Sequence, residues 1–169
     1  KELSELSLEG MDTRELCIVK VENGRAALAS LSAFFFHYPA KEMLMIGITG
    51  TKGKTTTAGM VRSILEEGGY KTGLIGTTGI EYAGLHVESR NTTPESYTLQ
   101  ETVRKMKEAG CNAVVMEASS QGFKMHRTDE ILFDYGIFTN IEEDHIGENE
   151  HKDFQEYKYY KSRIFTQSK

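Results

Sequence analysis

The sequence lacks tryptophan, has only two prolines and two cysteines, and contains no long apolar run. A membrane-spanning helix needs about 20 consecutive apolar residues, so the sequence predicts no such helix. Cys17 and Cys111 are isolated and form no C-x-x-C motif, which predicts reduced thiols and a cytoplasmic protein. A net charge of −5 argues against general binding of nucleic acid. We therefore expect a monomer without membrane or nucleic-acid partners.

Both ends of the chain look cut, because it begins without methionine and stops inside a helical pattern. Residues 1–43 differ in pattern from the rest. Within them, residues 16–21 predict a short strand, and a helix is predicted from Asn23 or Gly24 to about His37. This is too little for an independent domain, so we expect the C-terminal remnant of a preceding domain.

From residue 44 onward, strands and helices alternate, which predicts an α/β fold with a doubly wound, mostly parallel sheet. The predicted elements are strands 44–49, 73–77, 113–118 and 135–140, and helices 54–67, 94–109 and 151–167. Residues 78–91 alternate in two halves around Ala83-Gly84, which predicts a hairpin. Thr93 is the predicted N-cap of the second of these helices, with Pro94 at its first position.

A loop with two glycines, Gly50-Thr-Lys-Gly-Lys-Thr-Thr56, joins the first of these strands to the next helix. The backbone N–H groups of such a loop, and the positive end of the helix, bind phosphate. Lys54 can then reach the β- and γ-phosphates, and the Thr55 hydroxyl can ligate Mg²⁺. The usual motif has a glycine where Ile48 stands. The flanking strand and helix nevertheless favour nucleotide binding over a simple turn with a surface lysine.

Acidic side chains follow two other predicted strands. Glu117 ends one apolar run, and Glu142-Glu-Asp-His145 comes after another. Because the carboxyl ends of parallel strands meet at one edge of a sheet, we expect these groups near the glycine loop, together with Thr77-Thr78. Carboxylates and substrate phosphate are the ligands that Mg²⁺ prefers. The alternative for Glu117 is a solvated or salt-bridged acid, and for the later run of acids it is a solvated loop.

The last predicted helix places a lysine on its apolar face. Lys161 falls in the middle of a stripe formed by Phe154, Tyr157, Ile164 and Phe165. Burial disfavours an ammonium group and lowers its pKa. A neutral amine can react with carbon dioxide to give a carbamate, which is an anion and a potential metal ligand. The alternative is a lysine that extends its charge to the rim of the helix face.

Together these segments resemble the Mur ligase family, which builds the peptide of bacterial cell-wall precursors. The glycine loop resembles the family motif G-T-N-G-K-T-[TS], which also lacks the first glycine, with Lys52 in place of the commoner asparagine. Three further features resemble the branch of UDP-N-acetylmuramoyl-tripeptide synthetases: the segments Asn91–Glu95 and Met116–Gln121, and Arg127. Two later segments also resemble family motifs, namely Thr139–His145 (T-N-L-x-x-D-H) and Tyr157–Phe165, where Lys161 corresponds to the carbamylated lysine.

The resemblance implies a role for each matching residue. ATP is expected to bind to Gly50, Thr51, Lys52, Gly53, Lys54, Thr55 and Thr56. The implied catalytic residues are Lys54, Glu117, His145 and Lys161. Two Mg²⁺ ions are expected on Thr55, Glu117, His145 and carbamylated Lys161. The muramoyl substrate is expected to contact Asn91, Thr92, Thr93, Ser119 and Arg127.

The implied reaction is the ATP-dependent addition of an amino acid to UDP-N-acetylmuramoyl-L-alanyl-D-glutamate through an acyl phosphate. Residues 1–43 would then end a UDP-binding domain, and residues 44–169 would be an incomplete ATP-binding central domain. The family's amino-acid-binding domain is absent from the sequence, so the fragment alone is expected to be inactive. Gln121 stands where the family has histidine, and Gly147-Glu-Asn-Glu150 replaces its L-D-x-H stretch.

Two other functions remain open from the sequence. One is a related ligase of the same fold, such as a folylpolyglutamate synthetase. The other is a nucleotide-binding regulatory module without catalysis. The segments Asn91–Glu95 and Glu117–Gln121 favour the muramoyl ligase over the first alternative, and the joint presence of Glu117, His145 and Lys161 speaks against the second.

Overall fold

The computed structural model describes residues 17–144, 146–148 and 150–169. Its strands are β1 (Leu44–Thr49), β2 (Thr72–Gly76), β3 (Gly79–Tyr82), β4 (Leu85–Val87), β5 (Ala113–Glu117) and β6 (Tyr135–Phe138). Its α-helices are α1 (Gly24–Phe35), α2 (Lys54–Glu67), α3 (Ser96–Glu108), α4 (Ser120–Lys124) and α5 (Phe154–Thr166), and a 3₁₀ turn covers Pro39–Glu42.

The described strands form one sheet in the order β4-β3-β2-β5-β1-β6. The four strands from β2 to β6 in this order run parallel, and the hairpin β3–β4 adds two antiparallel strands at one edge. Ile48 is paired with Glu117 of β5 on one side and with Ile137 of β6 on the other. β2 lies on one side of β1, with β5 between them, whereas β6 lies directly beside β1 on the other side. The loop after β1 therefore opens at a crevice between strand ends, where parallel sheets bind ligands.

Helices cover both faces of the sheet, as the apolar strands predict. On one face, α2 covers Ile46, Ile48 and Val115, which form a core cluster with Ala58. The opposite face carries a larger cluster, to which α3, α4 and α5 contribute Leu99, Val103, Met106, Phe123 and Ile164. Alternate residues of β1 enter opposite clusters, because successive side chains of a strand point to opposite faces. The doubly wound α/β sheet predicted from the sequence is thus confirmed.

Local sequence signals explain two of the element ends. Asn23 caps α1, because its side-chain oxygen accepts hydrogen bonds from the backbone N–H groups of Arg25 and Ala26, at 3.0 and 3.1 Å. The β3–β4 hairpin turns at Ala83 and Gly84, which have φ values of 48° and 79°. Positive φ at both central residues is typical of the tight turns that match the twist of a hairpin.

Two local predictions were wrong. Thr93 does not cap a helix: α3 begins at Ser96 with Glu95 at the N-cap position, and the Thr93 hydroxyl instead donates to the backbone oxygen of Glu117. Residues 17–21 form no strand, and Leu16 lies outside the described residues. A strand needs a partner, and the sheet's edges are β4 and β6, neither of which pairs with this segment.

The role of residues 1–43 as the remnant of another domain stays a prediction. Within their described part, α1 lies against α3, and the rings of Phe36 and Tyr97 meet edge to face with centroids 5.2 Å apart. None of the described helices is long and apolar enough to cross a membrane.

A substitution at Gly47 of β1 tests how tightly the side chains over this face of the sheet are packed. A Cβ at this position would lie 2.8 Å from Cδ1 of Phe133 and 2.9 Å from Cδ1 of Ile164, which are both fully buried. We expect Gly47→Ala to lower the free energy of unfolding by about 1–3 kcal/mol through overpacking. The measurement is urea denaturation of the chain.

Gly59→Ala is the matched control, because a Cβ on this α2 residue would meet nothing within 4 Å. Alanine is favoured over glycine inside a helix by up to about 1 kcal/mol, so this variant should be as stable as the wild type or more so. Equal stability of Gly47→Ala and the wild type would contradict the packing described here.

Candidate active site

The loop from Gly50 to Gly53 needs both of its glycines. Gly50 has a φ of 148°, and a Cβ there would lie 1.9 Å from Oγ1 of Thr139. Gly53 has a φ of 81° and is the N-cap of α2, and no side chain bonds to that helix end. Thr55 and Thr56 are exposed in the first turn. The N-terminal amides of α2 thus lack a side-chain cap, which suits binding of an anion.

The loop is held from the other side by Asn140. Its backbone oxygen accepts from the Thr51 N–H at 3.0 Å, and its side-chain oxygen accepts from the Lys52 N–H at 2.9 Å. Its amide nitrogen donates to the Lys52 oxygen at 3.1 Å, and Thr139 Oγ1 donates to the same oxygen at 2.8 Å. These hydrogen bonds from the segment after β6 therefore fix the shape of the glycine loop.

A second connection runs from α5 to the loop. The hydroxyl of Tyr157, a fully buried residue, donates to Oγ1 of Thr51 at 3.0 Å. The same Thr51 oxygen accepts from the backbone N–H of Glu142 at 3.0 Å. Burial raises the pKa of the Tyr157 phenol, so it stays a hydrogen-bond donor at neutral pH. Thr51 thus joins the loop to two segments that are distant in sequence.

Two lysines donate to one carbonyl group of this loop. Lys161 Nζ lies 2.6 Å from the Gly50 oxygen, and Lys54 Nζ lies 2.9 Å from the same oxygen and 3.1 Å from that of Thr51. The Lys161 side chain is 2% exposed, and its nitrogen lies 4.6 Å from the ring centroid of Tyr157. The alternative in which Lys161 extends its charge to the helix rim is therefore wrong.

Burial changes the protonation of both lysines. It lowers the pKa of Lys161 to about 7, with a further lowering by the nearby charge of Lys54, while Asp144 opposes the shift. The pKa of Lys54 is also lowered by burial, against the opposing charges of Glu117 and Asp144. Near neutral pH a substantial fraction of Lys161 is thus an uncharged, nucleophilic amine.

Glu117 lies at the end of β5 as a carboxylate that is 1% exposed. Its Oε1 accepts from the backbone N–H of Thr77 at 3.0 Å, and its Oε2 accepts from Oγ1 of Thr77 at 3.2 Å. Gly76 makes room for this carboxylate, since a Cβ there would lie 2.3 Å from Oε1. The carboxylate and the ammonium of Lys54 interact electrostatically, so the two groups share one site.

The donor set at this edge fits one Mg²⁺ ion. Glu117 offers a carboxylate and Thr55 offers an exposed hydroxyl, and Mg²⁺ combines such ligands with substrate phosphate. No group of three acidic, histidine or cysteine side chains that could hold a metal is found among the described residues. His145 lies outside them. The Lys161 ammonium donates hydrogen bonds and ligates no cation, so only its carbamate fits the predicted second ion.

One carboxylate of the acidic segment after β6 is engaged in an ion pair. Glu142 pairs with Lys52 at 2.6 Å, and both side chains are well exposed. Glu142 is thus salt-bridged, where the sequence predicted either a metal site or a solvated acid, and such an exposed pair contributes little stability.

The predicted substrate residues lie beside Glu117. Thr93 is fully buried, and its hydroxyl donates to the Glu117 backbone oxygen at 2.9 Å and accepts from the Ser119 N–H at 3.0 Å. Ser119 caps α4, since its hydroxyl accepts from the Gly122 N–H at 3.0 Å. The hydroxyl oxygens of Thr92 and Thr77 are 3.0 Å apart. The segment before α3 is thereby tied to the end of β5.

Arg127 is bound to the same segment. Its Nη1 donates to the Thr93 oxygen at 3.2 Å, and its Nη2 lies 2.6 Å from Oε1 of Glu95. Asn91 is half-buried, and its backbone oxygen accepts from the Ser89 hydroxyl at 2.7 Å. Thr93, Ser119 and Arg127 are therefore linked by hydrogen bonds, and a carboxylate already contacts the guanidinium.

Three side chains at or next to the site had no role predicted from the sequence. Thr77 follows β2 at the ligand edge, so the strand-end rule already pointed to its position. Tyr157 lies one helical turn before Lys161, a spacing that places two side chains on the same face. His151 is fully buried, with its ring centroid 5.3 Å from that of Tyr157, and no sequence signal marked it.

A mostly parallel sheet with a glycine loop after its central strand, two loop-facing lysines and a buried carboxylate defines a phosphate-loop α/β domain. The chain belongs to the Mur ligase family, because residues 48–169 match the Mur ligase middle domain. The family predicted from the sequence motifs is therefore confirmed.

Two relatives illustrate the similarity. The chain is 43% identical over 154 residues to UDP-N-acetylmuramoyl-L-alanyl-D-glutamate–2,6-diaminopimelate ligase of Clostridium perfringens, a match over 91% of this chain and 31% of that protein. It is also 43% identical over 150 residues to the ligase of the same name from Bacillus licheniformis, over 89% of this chain and 30% of the relative. The chain thus spans about a third of the length of these curated relatives.

Solved structures share the fold. A 2,6-diaminopimelate ligase of the same name superposes with a TM-score of 0.73 at 22% identity, over 85% of this chain and 30% of that one. Folylpolyglutamate synthase from Mycobacterium tuberculosis, complexed with ADP and AMPPCP, gives 0.67 at 17% identity, over 82% and 38%. At these identities the likeness establishes the fold alone.

The lowered pKa of Lys161 predicts a specific pH dependence of stability. The pKa is about 7 in the folded chain against an ordinary value of 10.5, so between these values the unfolded chain binds more protons and stability rises with pH. Lys161→Met keeps the volume and removes this rise, by as much as about 1.4 kcal/mol per pH unit above neutrality. The variant's advantage over the wild type should be largest below about pH 7 and should shrink at higher pH.

Urea denaturation between about pH 6 and about pH 9 measures this difference. Lys158→Met is the control, because Lys158 is exposed on the same helix, and its pH dependence should match that of the wild type. Identical pH slopes for Lys161→Met and the wild type would contradict the burial of this amine.

Proposed function

We propose that this chain is the ATP-binding part of a ligase that adds an amino acid to UDP-N-acetylmuramoyl-L-alanyl-D-glutamate, in the synthesis of peptidoglycan precursors. The observation that carries the proposal is the convergence of Lys54, Lys161 and Glu117 around one glycine loop at the ligand edge of the sheet. We take the acceptor from the names of the relatives, and from the same names we propose 2,6-diaminopimelate as the incoming amino acid.

The loop and Lys54 bind the triphosphate in this proposal. The first-turn amides of α2 lack a side-chain cap, and the loop has a shape fixed by Asn140, so little reorganisation is needed when phosphate binds. Lys54 now donates to the carbonyl groups of Gly50 and Thr51 and would turn to the phosphates. Its charge offsets the repulsion between the triphosphate and the acceptor carboxylate that attacks the γ-phosphate.

Glu117 and Thr55 hold Mg²⁺ in this proposal. The bound ion supplies neutralisation of phosphate charge. Thr77 and Gly76 keep the Glu117 carboxylate in one orientation, which supports a role as a fixed ligand rather than a mobile surface acid. His145, predicted as a further ligand, remains part of the proposal.

Lys161 is proposed to act as its carbamate. The uncharged amine attacks carbon dioxide at carbon and forms a C–N bond, while the electron pair of one C=O π bond moves onto oxygen. One N–H bond then breaks, its electron pair stays on nitrogen, and the proton is released to solvent. Burial beside Tyr157 supplies the neutral amine near physiological pH, and the cationic Lys54 lies close enough to offset the new negative charge. The product is an anion at the position where the family resemblance expects a metal ligand.

The acceptor is proposed to lie along Asn91, Thr92, Thr93, Ser119 and Arg127. Thr93 is hydrogen-bonded to Glu117 and Ser119, and Arg127 donates to the Thr93 oxygen, so a carboxylate bound there would lie near the proposed metal ligand. The Arg127 guanidinium attracts the acidic dipeptide, whose carboxylate would compete with Glu95. A folylpolyglutamate synthetase shares the fold, but no described contact favours a folate over this acceptor.

Lys54→Ala tests the nucleotide site. Charge-assisted hydrogen bonds contribute about 1.5–3 kcal/mol each, so we expect the variant to bind ATP about 10- to 100-fold more weakly than the wild type. Isothermal titration of this chain with Mg²⁺·ATP gives the affinity. Lys158→Ala, an exposed lysine of α5, should bind as the wild type does. Wild-type affinity in Lys54→Ala would overturn the loop assignment.

Labelled bicarbonate tests the carbamate. After equilibration of the chain with ¹³C-bicarbonate at about pH 8.5, where the Lys161 amine is mostly neutral, NMR should show one carbamate carbon. The signal should be absent in Lys161→Met and should fade near pH 6 as the amine becomes protonated. A spectrum without any Lys161-dependent signal would contradict carbamylation.

A further inference from the structure

Three groups form a chain of hydrogen bonds between the proposed substrate segment and the proposed metal ligand. Thr92 Oγ1 lies 3.0 Å from Thr77 Oγ1, which lies 3.2 Å from Oε2 of Glu117. The backbone N–H of Thr77 separately donates to Oε1 at 3.0 Å. Thr77 is exposed, Thr92 is half-buried, and the carboxylate is buried. The two hydroxyls therefore connect an accessible surface to a carboxylate that solvent hardly reaches.

The number of available hydroxyl protons determines which group donates to which in this series of hydrogen bonds. An ionised carboxylate only accepts, so the single hydroxyl proton of Thr77 points to Oε2. Thr77 must then accept from Thr92, whose own proton points toward Thr77. In this state Thr92 offers only lone pairs to a ligand, and Oε2 has one of its acceptor sites taken by Thr77.

The opposite direction is available without any movement of heavy atoms. When an oxygen of the bound acceptor substrate accepts a hydrogen bond from the Thr92 hydroxyl, the Thr92 oxygen can accept one from Thr77. The Thr77 proton then turns away from Glu117, and the lone pair on Oε2 becomes free for a cation. The Thr77 N–H bond to Oε1 is unchanged, so the carboxylate keeps its orientation.

We propose that Thr92 and Thr77 form a hydroxyl relay through which binding of the acceptor frees Oε2 of Glu117 for the divalent cation. Both threonines are positioning residues in this scheme, because they act on the metal through Glu117. The inference rests on the proposed function, in which Glu117 holds the ion and Asn91–Thr93 contacts the acceptor. Beyond that function, the relay makes binding of the acceptor and of the cation cooperative.

A second hydrogen bond holds the substrate segment and β5 at a fixed distance while the relay hydroxyls reorient. The adjacent Thr93 donates to the backbone oxygen of Glu117 at 2.9 Å and is fully buried. That bond fixes the spacing between the substrate segment and β5 whichever way the relay hydroxyls point. A change at Thr92 is thus transmitted by reorientation of hydroxyl protons rather than by displacement of the strand.

The test measures cooperativity directly as binding. The affinity of this chain with bound ATP for Mn²⁺ is measured by the electron paramagnetic resonance of the free ion, with and without saturating UDP-N-acetylmuramoyl-L-alanyl-D-glutamate. Coupling free energies between sites correspond to about 5- to 150-fold in affinity, so we expect the acceptor to tighten Mn²⁺ binding at least about fivefold. By linkage, Mn²⁺ should tighten acceptor binding by the same factor.

Thr92→Val and Thr77→Val each break the relay and should reduce the coupling to less than about twofold. Thr77→Ser keeps the hydroxyl and the N–H and should retain it. Thr98→Val is the matched control: Thr98 is exposed on α3, and the same change of hydroxyl to methyl should leave the coupling at the wild-type value. Urea denaturation verifies that each variant is folded.

The outcomes separate the relay from the proposed function. No effect of the acceptor on Mn²⁺ affinity in the wild type, or an undiminished effect in Thr92→Val and Thr77→Val, would overturn the relay while Mn²⁺·ATP binding still supports the nucleotide site. Failure of the wild type to bind Mn²⁺ with ATP would overturn both. Coupling that is lost in the valine variants and retained in Thr77→Ser and Thr98→Val supports the relay.

Discussion

The carbonyl oxygen of Gly50 is the acceptor around which the whole site is arranged. It takes hydrogen bonds from Lys161, at the inner face of α5, and from Lys54, at the start of α2. Only glycine can hold the backbone there, because its φ is 148° and a side chain would collide with Thr139. This single contact joins two helices to one loop, so both the loop shape and the position of Lys161 depend on it.

A buried lysine next to a half-buried one requires compensation. Burial and the charge of Lys54 lower the pKa of Lys161 against the opposing charge of Asp144, and burial lowers the pKa of Lys54 against Glu117 and Asp144. The site is therefore electrostatically prepared for a polyanion: triphosphate binding would relieve the repulsion between the two ammonium groups. The same repulsion, added to burial, lowers the pKa of the Lys161 amine to about 7.

Sequence patterns predicted the framework well where local physics dominates. The strand Leu44–Thr49 and the helix Lys54–Glu67 agree in both bounds with the prediction, because an apolar run and a glycine N-cap are local signals. Thr93 misled the prediction, since a threonine before a proline and a glutamate is typical of a helix start. In the fold its hydroxyl reaches a strand-end carbonyl 24 residues away, and that long-range bond outweighs the local preference.

The sequence by itself determined the alternation of strands and helices, the phosphate-type loop and the family, because each depends on neighbouring residues in a fixed spacing. Only the tertiary structure decided whether Lys161 lies inside or at the rim, and that Thr77 holds both oxygens of Glu117. These outcomes depend on which segments meet across the sheet. A buried charge or a hydroxyl proton is directed by the groups that surround it in space, and the order of residues along the chain does not specify those groups.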